Sequence, residues 1–250
     1  MLDTYEGDFF PEDRLQVRDV ELRLWPGLEQ PPPSDDHKIY IFKDRRFLSG
    51  LTAAIDPVAP KRIVELGVFF GGSAIYWESR YRPERLSLFD LRAEAPHLAR
   101  YVERSGLTDV FRLHLGVSQD DQTVLRKSVA EDFGGVPIDL VVDDCSHQHA
   151  PTRASFETLF PYVRPGGLYI IEDWAWGHAR DWPPELWANK PLMSPILSEI
   201  MLICGKNDGV VKRLDIDPKF ALVWRGEASL PTDGTFRLTD YYTPRSFPRL

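Results

Sequence analysis

The sequence predicts an α/β fold with a mostly parallel sheet, and three features support this prediction. Two short runs rich in valine and isoleucine, Ile138–Val142 and Leu168–Ile171, are typical of strands buried on both faces. Apolar residues at helical spacing separate them and indicate a strand–helix–strand unit. Near the end of the chain, two apolar runs flank Asp217-Pro218-Lys219, a hairpin signature. The sheet is therefore expected to close with an antiparallel hairpin.

In the rest of the chain, predicted strands alternate with predicted helices, and glycine and proline residues mark the boundaries between them. Ser73 is predicted to cap the helix that follows the first glycine loop. Pro151 suits the first turn of the central helix, and Pro165-Gly166-Gly167 is expected to end that helix and lead into the next strand. Strands are predicted at 63–66, 86–89, 111–115, 210–216 and 220–224, and helices at 37–55, 74–81, 93–105, 121–132 and 195–204.

Composition excludes several classes of partner. The 250 residues carry a formal net charge of −8 and show no basic stripe, which argues against a nucleic-acid partner and an anionic membrane surface. No apolar run approaches the length of a membrane span, and the acidic start is not a signal peptide. Two cysteines imply no disulfide framework. These features predict a cytoplasmic protein.

The chain is expected to contain one main domain, at residues 37–229. Residues 1–36 end in a proline-rich tract and are interpreted as an N-terminal arm that packs over the site or on a neighbouring subunit. Disorder is the alternative interpretation for this arm. Residues 230–250 form a polar C-terminal tail of unassigned shape. A homo-oligomer is a possible assembly.

Polar residues collect where the two strands of the central unit end. Asp143, Asp144 and His147 follow the first strand, and Glu172 and Asp173 follow the second. Ligands bind beyond the carboxyl ends of strands in open α/β sheets, and clustered carboxylates need a cation or a proton between them. Oxygen ligands suit Mg²⁺ or a similar divalent ion. Capping of the following helix is the alternative role for any single acid.

A glycine loop follows the strand at 63–66, and an acid ends the next strand. Gly67, Gly71 and Gly72 precede a helix, an arrangement that lets backbone approach a ligand closely. The spacing is not GxGxxG, and many tight turns contain glycine, so the loop alone is a weak signal. Asp90, at the end of the next strand, is well placed to take both hydroxyls of a ribose.

Together, VELGVFFGGS, Asp90 and the pairing of IDLVVDDCSH with PGGLYIIEDW resemble class I S-adenosylmethionine-dependent methyltransferases. The acid–histidine and Glu–Asp motifs are similar to those of metal-dependent sugar O-methyltransferases of macrolide biosynthesis. They also resemble those of the cephalosporin-hydroxylase-like family and of actinobacterial rhamnose or mannose methyltransferases. The resemblance covers residues 60–177 and implies a doubly wound, Rossmann-like, seven-stranded sheet. Its implied cofactors are S-adenosylmethionine and Mg²⁺ or another divalent cation, and its implied acceptor is a saccharide or another small molecule.

The resemblance also implies a role for individual residues. His147 corresponds to the general base, and an imidazole suits this role because it titrates near neutrality. Asp144 and Asp173 correspond to metal ligands, with Glu172 as a further one. The residues implied to line the cofactor site are Glu65, Gly67, Gly71, Ser73, Asp90, Ser118, Gln119 and Asp143.

Two features depart from the macrolide enzymes: Cys145 stands where they usually carry glycine, and the chain lacks the large N-terminal domain of the mycinamicin enzyme. A catechol or an antibiotic nucleus is the alternative acceptor. An NAD-dependent oxidoreductase and a catalytically inactive binding protein are the rival classes. Tryptophans after the Glu–Asp pair are expected either to stack on a pyranose or to pack a lid against the core. These are Trp174, Trp176, Trp182 and Trp187.

Overall fold

The computed structural model describes residues 13–27, 29–178 and 190–243. Its central feature is a seven-stranded sheet in the order β6-β5-β4-β7-β8-β10-β9. The five strands from β6 to β8 run parallel, and β10 pairs antiparallel with both β8 and β9. This order and the terminal hairpin confirm the predicted fold class. The strands are β4 Arg62–Leu66, β5 Arg85–Asp90, β6 Phe111–Leu115, β7 Ile138–Asp143, β8 Val163–Glu172, β9 Val211–Ile216 and β10 Phe220–Arg225.

Helices cover both faces of this sheet, so the molecule has a helix–sheet–helix arrangement. Apolar side chains of α1, α2 and α3 pack in one core with Leu140 and Val142 of β7. Side chains of α4, α5 and α6 pack in a second core with Ile138 and Val141 of the same strand. Leu140, Val141 and Val142 thus alternate between the two cores, which explains why these three residues are all apolar. The described helices are α1 Arg45–Ile55, α2 Gly72–Tyr81, α3 Pro96–Arg104, α4 Gln122–Phe133, α5 His149–Leu159 and α6 Ser194–Lys206.

Aspartate side chains cap the first turns of two helices, whereas the serine cap predicted for a third helix does not form. Asp44 caps α1 by accepting a hydrogen bond from the backbone N–H of Phe47 at 2.7 Å, and Asp121 caps α4 in the same way. The predicted cap Ser73 is wrong, because α2 already begins at Gly72 and its N-cap is Gly71 with φ +88°. Glycine alone adopts that backbone readily, so the turn ends one residue earlier than a serine cap requires.

Residues 14–41 form a second, three-stranded sheet. An antiparallel hairpin of β1 Arg14–Val17 and β2 Val20–Leu24 pairs in parallel with β3 Lys38–Ile41. The helix predicted over 37–55 is therefore wrong at its start. Buried Ile39 and Ile41 alternate with half-buried neighbours along β3, which is strand periodicity. This sheet crosses the predicted boundary at residues 36 and 37, and the domain limits stay a prediction.

The small sheet is held against the main domain by charged side chains. Arg18, in the β1–β2 turn, pairs with buried Glu78 of α2 at 2.6 Å. Asp36 pairs with Arg100 of α3 at 2.6 Å. These contacts fix β3 beside the carboxyl ends of the central strands, and so bring residues 40–43 to the site.

The end of the central helix differs from its prediction, and part of the tail, whose shape was unassigned, is buried. The central helix ends at Leu159, and β8 already contains Pro165-Gly166-Gly167, so this tripeptide does not end the helix. The register of β7 against β8 is irregular between Ile138 and Leu140, as expected where proline and glycine interrupt a strand. In the predicted tail, Phe236 and Leu238 are fully buried in the second core.

Candidate active site

A cleft of about 610 Å³ opens at the carboxyl ends of the central strands. It lies where ligands bind in open α/β sheets, and its volume suits a small-molecule ligand. Residues of β3, the glycine loop, the end of β5 and the loop after β7 surround it. Its lining includes Tyr40, Lys43, Gly67, Phe69, Gly72, Ser73, Asp90, Arg92, Ser118, Gln119, Asp144, His147, Asp173 and Trp176.

Gly67 allows two strand ends to meet at the floor of this cleft. It has φ +91°, and a Cβ at this position would lie 1.9 Å from the carbonyl oxygen of Asp144. No side chain fits there, so the sequence needs glycine for both the backbone angle and the close approach. Gly71 does not line the cleft itself, and its predicted contact with the cofactor stays a prediction.

Asp90 lines the cleft and also holds the glycine loop in place. Its Oδ2 accepts hydrogen bonds from the backbone N–H groups of Val68 at 2.7 Å and Phe69 at 2.9 Å. Its Oδ1 accepts from the N–H of Arg92 at 2.7 Å. A carboxylate has about four lone-pair sites, so capacity for a ligand hydroxyl remains.

Gln119 connects the cleft to a buried polar cluster below it. Its amide nitrogen donates to Asp143 Oδ1 at 2.6 Å, and its carbonyl oxygen accepts from the N–H of Ser146 at 3.2 Å. Asp143 also accepts from the hydroxyls of Ser155 at 2.7 Å and Tyr169 at 2.8 Å. Burial raises the pKa of Asp143 to about 6, against the lowering effect of these donors. Asp143 thus lies beneath the cleft, and a direct contact with a cofactor stays a prediction.

Glu65 likewise lies behind the cleft wall. It is 1% exposed and accepts a hydrogen bond from the indole N–H of Trp77 at 3.1 Å. Burial raises its pKa to about 7, while a hydrogen bond with Ser73 lowers it. Ser73 lines the cleft and Glu65 does not, so a direct contact between Glu65 and a cofactor stays a prediction.

Asp144, His147 and Asp173 come together at one end of the cleft. One potential ligand atom from each lies within 4.8 Å of the others. His147 and Asp173 both have positive φ, +52° and +51°. Such angles are uncommon outside glycine and often mark functional sites, since the surrounding structure must hold them. Carboxylate oxygens suit a divalent metal ion, and the structure places His147 beside the two acids, so it brings together three residues that the sequence singled out.

Glu172 is adjacent in sequence but lies outside this group. Its carboxylate is fully buried, and its Oε2 lies 2.6 Å from the ammonium nitrogen of Lys43. Lys43 Nζ also donates to Asp144 Oδ2 at 2.5 Å. The proposed role of Glu172 as a metal ligand stays a prediction, and the structure gives it a lysine partner instead.

The charges of this cluster shift one another's pKa values. Burial and the nearby Asp144 raise the pKa of Glu172, and the same causes raise that of Asp173. Burial opposes ionisation of Asp144 as well, but the ammonium of Lys43 holds its pKa below the usual range. Asp144 is therefore the carboxylate that is most firmly ionised, and a bound cation would favour ionisation of the other two.

Lys43 is the site residue that sequence reasoning missed. It follows β3 in the run KIYIFKDRRF and is almost completely buried. A lysine between an apolar strand and the charged run Asp44-Arg45-Arg46 is a weak signal, because most lysines in such positions reach solvent. Its partners are more than 100 residues away, so only the tertiary structure reveals the pairing.

The two described tryptophans after Asp173 lie in different surroundings, and stacking on a pyranose stays a prediction. Trp176 lines the cleft, and its indole N–H donates to the carbonyl oxygen of His147 at 2.9 Å. Trp174 instead packs against the second core and donates to the carbonyl of Asp217. Trp182 and Trp187 lie outside the described residues. Cys145 is half-buried, and burial raises the pKa of its thiol, which argues against a nucleophile.

The fold and the site are similar to those of a methyltransferase domain on a Rossmann-like sheet. Residues 64–174 match the family described as "Methyltransferase domain". This segment contains the glycine loop, Asp90, the acidic cluster and His147, so the predicted resemblance is confirmed.

Within the described residues, no helix has the length and apolar character needed to cross a membrane.

Curated relatives and solved structures make the comparison more specific. One relative is the 8-demethyl-8-(2-methoxy-alpha-L-rhamnosyl)-tetracenomycin-C 3'-O-methyltransferase of Streptomyces olivaceus, 40% identical over 122 residues, which are 46% of this chain and 28% of the relative. A second is the mycinamicin VI 2''-O-methyltransferase of Micromonospora griseorubida, 34% identical over 119 residues, which are 45% of this chain and 27% of the relative. The match thus spans less than a third of the length of either relative.

The structure of MycE methyltransferase from the mycinamycin biosynthetic pathway, in complex with Mg, SAH and mycinamycin VI, has a TM-score of 0.54. It is 26% identical, and the match covers 74% of this chain and 52% of MycE. SAH-bound PaMTH1 of Podospora anserina also has a TM-score of 0.54 at 14% identity, covering 74% of this chain and 80% of PaMTH1, and shows the fold alone.

Proposed function

We propose that this chain is an S-adenosylmethionine-dependent O-methyltransferase that modifies a sugar hydroxyl with the help of a divalent cation such as Mg²⁺. The observation that carries the proposal is the grouping of Asp144, His147 and Asp173 within 4.8 Å, in the cleft that the glycine loop also lines. A cofactor site and a candidate metal site thus share one cavity. The names of the relatives and the Mg and SAH bound to MycE support this combination.

The residues around the cleft fit the cofactor. Gly67, Ser73 and Asp90 would hold its amino-acid and ribose parts, while Ser118 and Gln119 would lie near the base. We assign Glu65 and Asp143 an indirect role, because neither lines the cleft. Glu65 would hold Ser73, Asp143 would hold Gln119, and the backbone turn at Gly71 would set the start of α2.

The donor set also fits a divalent ion. Asp144 and Asp173 provide hard oxygen ligands. The ion would favour the ionised form of Asp173, whose pKa is raised by burial and by the nearby Asp144. When bound, S-adenosylmethionine supplies the methyl group, and the divalent ion supplies positive charge that makes a sugar hydroxyl more acidic. Asp144 and Asp173 would hold that positive charge at one end of the cleft, beside His147.

His147 is proposed to accept the proton of the acceptor hydroxyl at Nε2. This nitrogen lies 3.8 Å from Asp144 Oδ1, so it faces the acidic cluster. The backbone carbonyl of His147 accepts a hydrogen bond from Trp176, which holds the loop in its positive-φ conformation. General-base catalysis of this kind contributes typically about 10²–10⁴ in rate. Trp176 would also offer its face to the pyranose ring.

Calorimetry and an acceptor screen test the proposal. Binding of S-adenosylmethionine or its demethylated product, with no binding of NAD, is the expected result. Glycosides, deoxysugar-bearing natural products and catechols would then be screened with labelled cofactor, with sugar hydroxyls expected to be methylated. Turnover of catechols alone would contradict the saccharide acceptor, and binding of NAD alone would contradict the methyltransferase. The predicted cytoplasmic location and homo-oligomer stay predictions.

A further inference from the structure

We propose that the outer face of the small sheet carries a second saccharide subsite, which binds a neutral sugar ring of the acceptor beyond the ring that is methylated. The inference rests on the proposed function, since it concerns the acceptor of that reaction. It starts from a cavity of about 320 Å³, which residues of the three strands and of the segments beside them enclose. Its lining consists of Asp13, Arg14, Arg23, Leu24, Trp25 and Tyr40.

This cavity adjoins the cleft of the candidate active site through Tyr40. Tyr40 lines both cavities, and the residues that follow it, Ile41, Phe42 and Lys43, continue along the wall of the cleft. A molecule bound in the cleft can therefore extend past Tyr40 onto the small sheet. An acceptor with more than one sugar ring would reach the second cavity by this path.

The strand register places three of the lining residues in one row across the sheet. Arg14 pairs with Arg23 across β1 and β2, and Arg23 pairs with Tyr40 across β2 and β3. Side chains of such cross-strand partners lie on the same face of a sheet. Neighbouring strands lie about 4.8 Å apart, so the row extends about 10 Å from Tyr40 to Arg14. It leads away from the cleft and offers a bound sugar chain successive contacts.

Two aromatic rings form a corner at the end of this row that is nearest the cleft. The ring centroids of Trp25 and Tyr40 lie 6.0 Å apart, and the rings are inclined by 85°. The indole N–H of Trp25 donates to the carbonyl oxygen of Glu29 at 2.8 Å, which holds the ring in place. Both residues are partly exposed. Such rings provide contact area at low conformational cost, which suits the C–H surface of a pyranose.

The charges of two lining residues are offset by neighbours outside the cavity, which favours a neutral ligand over an anion. Nε of Arg23 lies 2.6 Å from Oε1 of Glu21, and Oδ1 of Asp13 lies 3.1 Å from Nε of Arg45. Arginine N–H groups and carboxylate oxygens in one cavity offer both hydrogen-bond donors and acceptors. A sugar hydroxyl uses both, because it donates one hydrogen bond and accepts others.

The test measures, by calorimetry, the affinity of two sugars for protein saturated with the demethylated cofactor and Mg²⁺. The probes are methyl α-L-rhamnopyranoside and the methyl glycoside of a disaccharide of two α-L-rhamnopyranosyl units. Wild type should bind the disaccharide at least about tenfold more tightly, since aromatic anchors carry much of the energy of binding. In Trp25→Ala the two Kd values should become nearly equal. The control Gln16→Ala, on the same sheet face but outside the cavity, should keep the wild-type ratio.

A second variant keeps the inference testable where Trp25→Ala does not fold. The side chain of Arg23 is 41% exposed, so Arg23→Ala should fold, and it should lower the ratio of the two Kd values by more than about threefold. Binding of the demethylated cofactor by each variant shows that the fold is intact. An unchanged ratio in folded Trp25→Ala or in Arg23→Ala would overturn the inference.

Two results in wild type would also overturn the subsite: equal affinity for the two sugars, and binding of neither sugar by protein that binds the demethylated cofactor. Methyl transfer from labelled cofactor separates this inference from the proposed function. If the monosaccharide is methylated and the disaccharide is not preferred, the proposed function stands and the subsite falls. If the disaccharide binds through Trp25 and receives no methyl group, the subsite stands and the proposed methyl transfer falls.

Discussion

The burial of Glu65 allows us to predict how the stability of the protein changes with pH, and by how much. The residue is 1% exposed, and burial raises the pKa of its carboxyl group to about 7 from an ordinary value of 4.5. The folded protein therefore binds a proton at this site in a pH range where the unfolded chain does not. Stability should fall as the pH rises through the window from about 4.5 to 7, because the ionised form is penalised only in the folded state.

One pKa unit corresponds to about 1.36 kcal/mol, so this shift corresponds to about 3 kcal/mol. Glu65→Gln keeps the shape and an acceptor for Trp77 but removes the charge. Relative to this variant, the free energy of unfolding of the wild type should drop by about 3 kcal/mol between pH 4.5 and pH 8. Measuring the difference between the two proteins cancels the titration of groups that they share.

Urea unfolding of metal-free and cofactor-free protein at several pH values provides the measurement. Glu131→Gln is the matched control, because its side chain is 65% exposed and should show little pH-dependent difference. A constant difference between wild type and Glu65→Gln from pH 4.5 to 8 would refute the reasoning. It would mean that the carboxyl group is hydrated in the folded protein.

Three further substitutions test other parts of the site. Asp90→Ala removes three hydrogen bonds from backbone N–H groups. It should weaken binding of the demethylated cofactor by about 1–3 kcal/mol, as measured by calorimetry. Unchanged affinity would contradict the role of Asp90 in binding. Gly67→Ala places a Cβ 1.9 Å from a backbone oxygen and should lower the Tm sharply. The control Gly205→Ala, in α6, places its Cβ in open space and should not lower the Tm. Equal Tm values for the two variants would contradict the close approach at Gly67. His147→Ala should lower kcat by about 10²–10⁴ with Mn²⁺ affinity retained, and loss of Mn²⁺ binding would instead make His147 a metal ligand.

The sequence predicted the central sheet well because its signals are local. Buried parallel strands appear as continuous apolar runs, and the strand–helix–strand unit around Ile138–Val142 has both its length and its turn residues in sequence. The grouping of Asp144, His147 and Asp173 followed from the rule that parallel strands end at one edge of the sheet.

The missed features depend on contacts between distant residues. The strand at Lys38–Ile41 was predicted as helix because its pairing partner, β2, lies outside the local pattern. Lys43 could not be assigned to Asp144 and Glu172 from spacing alone, since those acids lie at the ends of two other strands. The buried positions of Glu65 and Asp143 behind the cleft also needed side-chain packing, which strand-end rules do not provide.

The central claim is that Asp144 and Asp173 hold a divalent ion that supports methyl transfer to a sugar hydroxyl. The most direct test follows labelled methyl transfer to the glycoside identified by the screen, first with chelator and then with Mg²⁺ restored. Wild type should lose activity in chelator and regain it with Mg²⁺. Asp144→Asn should stay inactive in both conditions while it binds the demethylated cofactor as well as wild type does. Full turnover of the wild type in chelator would contradict the account.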